Sequence, residues 1–369
     1  MSNYKISSVI KIPTRLLLFV LYFTFSIFNL TQIKGETAMS YVGENLHSYK
    51  LAHDNERSIA KIAAARDQFA KSLTKNEYAK AVRPSLDPEW REWSNLPPRL
   101  DYGGVCLKDL SPKQISFFLD LLAHSTSAFG FNKVRDIILS DDKLIDPANP
   151  PRSGLLLGSN YYWVVLFGSP SDDGIWGWQI DGHHLGLNVL IQGGEVSIAP
   201  SFIGTQPSRF NYGDRTDITP MKVEGSIPYE FMASLTGAQL EKAVIGPRTQ
   251  GMQAGPGRDK FLPKPRGLRL NGLNQNQKAQ IMTLADAWIN ILPKKWAQKE
   301  RNQLERNISK GYLAWKGGIK STEPVYYQLN IPGFYIEFSH QNLGGDPFNH
   351  LHSVYRKIGN DYFGKEISH

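Results

Sequence analysis

Apolar positions recur at three- and four-residue spacing from about Glu56 to Leu73, through Ile59, Ile62, Ala63, Phe69 and Leu73, which predicts a first helix. Three later segments carry the signature of a reciprocal N-terminal cap, an oxygen-bearing side chain followed three residues on by glutamine. They are Ser111 with Gln114, Thr236 with Gln239 and Asn274 with Gln277, each preceded by a leucine placed to act as the outer half of a hydrophobic staple. Helices are expected from about Pro112 to His124, Gly237 to Ile245 and Gln275 to Leu292. A charged segment, Lys294 to Trp315, spaces Trp296, Leu304, Ile308 and Trp315 as a further helix with a solvated face.

Strand periodicity governs two other regions. In the first, Tyr161 to Gly168, Ile175 to Ile180, Leu185 to Ile191 and Glu195 to Ala199 are aromatic and β-branched runs parted by turn residues. In the second, Val325 to Ile331 and Phe334 to Ser339 flank Pro332-Gly333, and His350 to Arg356 follows a Gly/Asp/Pro/Asn loop. Both read as antiparallel meanders, so the fold class is α+β, with helices packed on antiparallel sheet. The order of capped helices, aromatic hairpin and histidine occurs twice. Trp178 stands five residues before His183 as Tyr335 stands five before His340. That order suits two pseudo-repeated halves, about 105–225 and 235–369, facing each other across a cleft. Pro84 to Gly104, with Trp90, Trp93 and Leu96, reads as an ordered strap. Ile203 to Gly225 and the glycine-rich run Gly246 to Gly272 read as long irregular connections, the second a mobile flap over the cleft.

With 369 residues, 41 % hydrophobic and 21 % charged, the chain can bury a large core. Lys5, Lys11 and Arg15 precede an uncharged run from Leu16 to Leu30, and Ala38 and Ser40 are small residues suited to cleavage after Ser40. Residues 1–40 therefore read as an export signal, with an uncleaved anchor across residues 12–33 as the alternative. The remaining single domain, 41–369, belongs in the periplasm, outside the cell or at the envelope. The net charge of +8 is dispersed and gives no basic stripe for nucleic acid. Cys106 is the only cysteine and has apolar neighbours, so no intrachain disulfide or thiolate metal cluster can form and a buried thiol is expected.

The candidate chemistry is carried by histidine. Five of the nine histidines fall in two places, His183-His184 and His340, His350, His352. On a strand, His350 and His352 share a face about 6.6 Å apart along the chain, close enough for their rings to converge on one metal. His183 and His184 are neighbours, and an extended backbone would send only one of them into the cluster. Asp181 and Glu337 are the nearby carboxylates, and Glu337 sits in an otherwise apolar strand, where it needs a cation or hydrogen-bond donors. Arg356 is the alternative partner for Glu337. The expected ligands are thus His183 or His184, His350, His352, Glu337 and His340, with Glu337, Asp181 and Arg356 as acid–base or positioning groups. Imidazole and carboxylate favour one zinc, iron or copper ion.

There is no GxSxG elbow, no phosphate-binding GxxxxGK[ST] loop, no HExxH and no dinucleotide glycine fingerprint, so no nucleotide or flavin is expected. The segment Trp176-Gly-Trp-Gln-Ile-Asp-Gly-His-His-Leu-Gly-Leu-Asn188 resembles the signature of a bacterial and fungal family, the domain of unknown function numbered 3500. Trp93-Ser-Asn-Leu-Pro97, Phe167-Gly-Ser-Pro170, Pro200-Ser-Phe-Ile-Gly-Thr-Gln-Pro207, Asn349-His-Leu-His-Ser-Val-Tyr-Arg356 and Asn360-Asp-Tyr362 extend the similarity over roughly residues 56–369. The family pattern has alanine and glutamate where this chain has Thr205 and Gln206, so a ligand role for that glutamate would be missing here. The resemblance implies a domain extent and the importance of these residues, and no activity. The residues themselves point to an exported metal-dependent enzyme, a hydrolase first and an oxidoreductase second, acting on a small molecule or glycan. The other class is a non-catalytic binder that presents Tyr161, Tyr162, Trp163, Trp176, Trp178 and Tyr335 as an aromatic platform.

Overall fold

The first run of elements joins helices to a meander. It comprises α1 (Tyr41–Ser48), α2 (Ile59–Ser72), α3 (Lys75–Ala81), β1 (Val82–Arg83), β2 (Val105–Cys106), α4 (Pro112–Ser125) and α5 (Ala128–Asp141). Strands β3 (Tyr162–Phe167), β4 (Trp176–Gly182), β5 (Leu185–Gln192), β6 (Glu195–Ser197) and β7 (Ser201–Thr205) follow. After a small hairpin, β8 (Phe210–Tyr212) with β9 (Arg215–Ile218), come α6 (Lys222–Ala233), α7 (Gly237–Ala243), β10 (Val244–Gly246), β11 (Leu268–Arg269), α8 (Gln275–Ile289) and α9 (Lys294–Asn307). Strands β12 (Tyr312–Gly317), β13 (Val325–Ile331), β14 (Phe334–His340) and β15 (Leu351–Arg356) complete the chain. The computed structural model describes residues 39–52, 57–98, 102–145, 154–170, 174–259, 262–343 and 345–365. The basic flank and apolar run expected to direct export lie outside them.

Among the described residues, thirteen strands form one mixed sheet, in the order β1-β3-β4-β5-β7-β15-β14-β13-β12-β10, with β2, β6 and β11 added at the side. Pairing is antiparallel except at the two short contacts β1–β3 and β10–β12. The protein is therefore an α+β fold with helices on a largely antiparallel sheet. Side chains alternate faces along every central strand. Leu187, Val189, Ile203, Tyr327, Ile336 and Phe338 point into the helix-covered core with Phe118, Ile137, Ile281 and Trp288. The opposite face carries polar Gln179, Asn188, Gln328, Glu337 and Arg356, all buried.

All three expected caps form, at Ser111, Thr236 and Asn274, and Thr74 with Glu77 makes a fourth. Such caps stabilise a helix by about 1 kcal/mol each. Gln114 also donates to Ser72 O and Glu77 at 3.0 and 2.7 Å, and Gln277 donates to Ser234 O and Gln239 at 2.9 and 3.0 Å. The caps thus tie neighbouring helices to one another. Ser40 caps α1, and its hydroxyl lies 3.2 Å from the Asp142 carboxylate and 2.5 Å from the Ser159 hydroxyl.

Three expectations change. The charged helix ends at Asn307, and Tyr312–Gly317 is a strand with Trp315 fully buried. The short turn Ile308–Lys310 and Gly311 stop the helix, and the period-two pair Leu313 and Trp315 outweighs the wider helical spacing. Ile203–Gly225 contains the end of β7, a hairpin and the start of α6 rather than irregular chain. The stretch expected to be a mobile flap is docked instead. Gln253 and Ala254 donate backbone N–H groups to Glu337 at 2.7 and 2.8 Å, and Ser339 Oγ donates to Gln250 O at 2.7 Å. Arg356 donates to Ala254 O at 3.0 Å. A second strap lies beside it, where Trp90 stacks on Phe167 at 3.8 Å and Trp93 packs with Phe202, Tyr335 and Val354. Cys106 is buried, as its apolar neighbours require.

Candidate metal centre

Strands β4 and β5 are joined by the tightest available loop, since Gly182 pairs with Leu185 and only His183 and His184 lie between. His184 has φ 67°, in the left-handed region that favours glycine. A β-carbon there costs on the order of 1 kcal/mol, so the surroundings must hold it. They do. His184 N donates to Asn95 O at 3.0 Å, Gly204 N donates to His184 O at 2.6 Å, and Tyr162 OH donates to His183 O at 2.6 Å.

The turn delivers the His184 ring to the strand-borne pair. His352 faces Gly204 across the β15–β7 ladder, and His350 precedes it by two residues on the same face. His184 Nε2 lies 2.8 Å from His350 Nε2, which lies 3.0 Å from His352 Nε2. The spacing nears the 3–3.5 Å expected of nitrogens sharing one tetrahedral ion at about 2.0–2.1 Å. Gly204 makes the approach possible, because a Cβ there would meet His184 Cδ2 and His352 Cδ2 at 3.0 Å and Leu351 O at 2.9 Å. His350 Nδ1 donates to Leu343 O at 2.7 Å, which leaves Nε2 as the lone-pair nitrogen facing its neighbours. His184 and His350 are buried, and His352 is partly buried.

Burial holds all three imidazoles below the usual histidine pKa, most strongly at His184 and His352. At His184 the neighbouring His183, His352 and His350 add to that effect, and at His352 the neighbours His350 and His183 do. At His350 the bond to Leu343 O opposes burial. Neutral imidazole is the form that binds metal.

His183 occupies a different place. Its ring stacks on His184 at 3.7 Å, and Nδ1 meets Asp141 Oδ1 at 2.5 Å. Both residues of the tight turn therefore enter the region, one toward β15 and one toward α5. Asp141, His183 and His184 form a second group of ligand-type atoms within 4.8 Å of one another, as His184, His350 and His352 form the first.

The other sequence-selected residues sit elsewhere. Glu337 accepts from Gln253 N, Ala254 N and the Tyr326 hydroxyl, donors that oppose the rise in its pKa caused by burial. Arg356 pairs with Asp361 at 2.8 Å and with Asp259, not with Glu337. Asp181 is buried, with one oxygen unpartnered, and burial raises its pKa above the usual aspartate value. His340 lies on the helix-covered face, where Nδ1 accepts from Val325 N at 3.1 Å and burial lowers its pKa to about 4. None of these four belongs to either histidine group. Of the six aromatic residues proposed as a platform, Trp163, Trp176, Trp178, Tyr162 and Tyr335 are buried in the core, and Tyr161 is partly buried. Asp141 and Leu343 escaped the sequence reading, and Asn95 and Gly204 entered it only within the family segments, without a role of their own. A helix marked by the Ser127 cap and Phe131, Val134 and Ile138 spacing would have placed Asp141 at its end, but nothing local links it to His183.

The profile of a family described as a protein of unknown function, DUF3500, matches residues 55–364. The chain belongs to the DUF3500 family. No curated protein and no solved structure matched the chain. In this DUF3500 chain, both histidine pairs that make the centre fall inside the matched span, as do Asp141 and Gly204.

Proposed function

We propose that the chain is an exported metal-dependent enzyme, and that His184, His350 and His352 hold a zinc ion in a hydrolytic centre. The observation that carries the reading is the convergence of three Nε2 atoms at successive separations of 2.8 and 3.0 Å. Three histidines around an open fourth position form a catalytic zinc set. A zinc ion held by these three histidines would supply a water-derived nucleophile near neutral pH for an ester, amide or phosphoester. The chain's own residues fix the three rings: the Leu343 carbonyl sets the His350 tautomer, the clamped turn orients His184, and Gly204 lets the rings close. The substrate of this reading is a small molecule or a glycan. Iron or copper in the same set would support redox chemistry instead.

Elemental analysis of protein purified without added metal or an affinity tag should give at least one equivalent of zinc. The double variant H350A/H352A should lose it and keep its helical circular dichroism. Metal-free wild type that does not take up zinc would overturn the reading, and stoichiometric iron or copper would replace hydrolysis with oxidation.

Two further readings belong here. The two runs of elements derive from one duplicated unit. Support comes from matching order about the β7–β15 seam and from the paired caps at Thr74 and Thr236, and at Ser111 and Asn274. The match of Trp178 with Tyr335 is not part of that support, since the first faces the helices and the second the strap. Export rests on Lys5, Lys11, Arg15 and the run Leu16 to Leu30. Because Ser40 caps α1, a cut that keeps Ser40 suits the fold better than one after it. Among the described residues, no helix is long and apolar enough to cross a membrane.

A further inference from the structure

We propose that Asp141, His183 and the Nδ1 side of His184 hold a second transition-metal ion, joined to the first through the imidazole ring of His184. The proposal rests on the three-histidine reading above and extends it from one ion to two.

Its starting point is a contrast between two rings of the same centre. A metal-bound histidine almost always gives its other ring N–H to a carbonyl, carboxylate or water. His350 does so, to Leu343 O. His184 does not: its Nδ1 is buried without a hydrogen-bond partner, on a residue only 1 % exposed. A buried donor left in that state costs about 1–3 kcal/mol. A cation at Nδ1 removes the orphan, the ring proton passing to solvent as the ion binds.

The remaining ligands are already in place. Asp141 and His183 offer ligand atoms within 4.8 Å of each other and of His184. Asp141 ends α5, where the unsatisfied carbonyls carry partial negative charge and a carboxylate is electrostatically misplaced unless a cation joins it. Its second oxygen is fixed by Gly158 N at 2.7 Å, so the first is aimed rather than free to rotate. His183 stacks on His184 at 3.7 Å, so the two rings must tilt apart for their in-plane lone pairs to meet at one ion. One carboxylate oxygen and two imidazole nitrogens suit zinc or copper better than magnesium or calcium. His183 Nδ1 and Asp141 Oδ1 lie 2.5 Å apart, a hydrogen bond that an ion held between them would replace.

The test uses the full, untagged chain stripped with a chelator and titrated first with zinc, then separately with copper(II). Wild type should take two zinc equivalents, and D141N and H183Q one each. H184Q should lose both. With copper in both positions, the shared ring couples the two unpaired electrons, so the paramagnetic resonance signal should fall well below two spins per chain. D141N should return a full single-copper signal. One equivalent in wild type, unchanged in D141N and H183Q, would overturn the second position and leave the three-histidine centre standing. Two equivalents that survive both substitutions would overturn the ligand assignment. No uptake at all would overturn both readings. Circular dichroism of the variants separates lost ligands from lost fold, and agreement between D141N and H183Q guards against either failing alone.

Discussion

Position 204 has little room for a side chain, because a β-carbon would lie 2.9 Å from Leu351 O and 3.0 Å from the His184 and His352 rings. Gly204→Ala should push the rings apart by a few tenths of an ångström. Changes just outside a metal's ligands typically weaken binding about 10- to 100-fold. Competition against a zinc-binding dye should register a loss in that range, with a stability cost of about 1–3 kcal/mol from overpacking. Unchanged affinity would mean that the rings do not meet at this glycine. Residues of this kind explain what could and could not be read in advance. His350 and His352 were legible because strand alternation alone puts them on one face. Which of His183 and His184 joins them was not, because extended geometry sends neighbouring side chains apart, whereas the two-residue turn and a positive φ bring both rings into one region. Glu337 was rightly marked as a charge needing partners, but the donors that satisfy it come from Gln253 and Ala254, some eighty residues away and without a side-chain signature.

At the scale of elements, the strap following β10 is held by polar contacts more than by apolar bulk. Glu337 takes two consecutive backbone N–H groups from it, and Arg356 ties Ala254 O and Asp259 into the same anchor. Glu337→Gln keeps the shape but replaces one accepting oxygen with a donor facing N–H or O–H groups. A loss of about 1–3 kcal/mol follows from one buried group left unsatisfied. Hydrogen exchange at the amides of Gln253 and Ala254 should accelerate, while zinc content stays at the wild-type value. Loss of zinc with slow exchange intact would make Glu337 a ligand after all. Helix starts were the most legible elements, since cap chemistry is written within four residues. Strap and flap cannot be told apart by composition: a run rich in glycine and proline is compatible with either, and the choice is made by acceptors on distant strands.

For the whole molecule, the centre cross-links segments far apart in sequence, because His184 belongs to the β4–β5 turn and His350 and His352 to the last strand region. A ligand that binds only the folded state stabilises it by about 2.7 kcal/mol at a hundredfold excess over its Kd. At about 2 °C per kcal/mol for a chain of this size, zinc at that excess should raise the Tm by about 5 °C. Calorimetry with and without chelator measures it, and identical melting would mean that the ion does not bind the native chain. The fold class was legible because two periodicities, near 3.6 and 2, alternate along the chain. The single sheet was not, since the contact that unites it, β7 with β15, pairs Ile203 with Ser353 and has no turn to announce it.

That seam has a consequence in time rather than in space. Hairpins such as β4–β5 and β13–β14 close over a few residues, whereas β7 and β15 must find each other across about 150 residues of chain. Contacts of such separation form late in folding, after local ones have repaid their own loss of entropy. His352 sits on this seam, opposite Gly204, and His184 hydrogen-bonds to Gly204 from the other side. A nascent or incompletely folded chain would therefore offer an ion only the adjacent pairs His183-His184 and His350-x-His352, never the three rings together. If the three rings hold an ion as proposed, its capture would report completed assembly, coming only after both ends of the sheet have met.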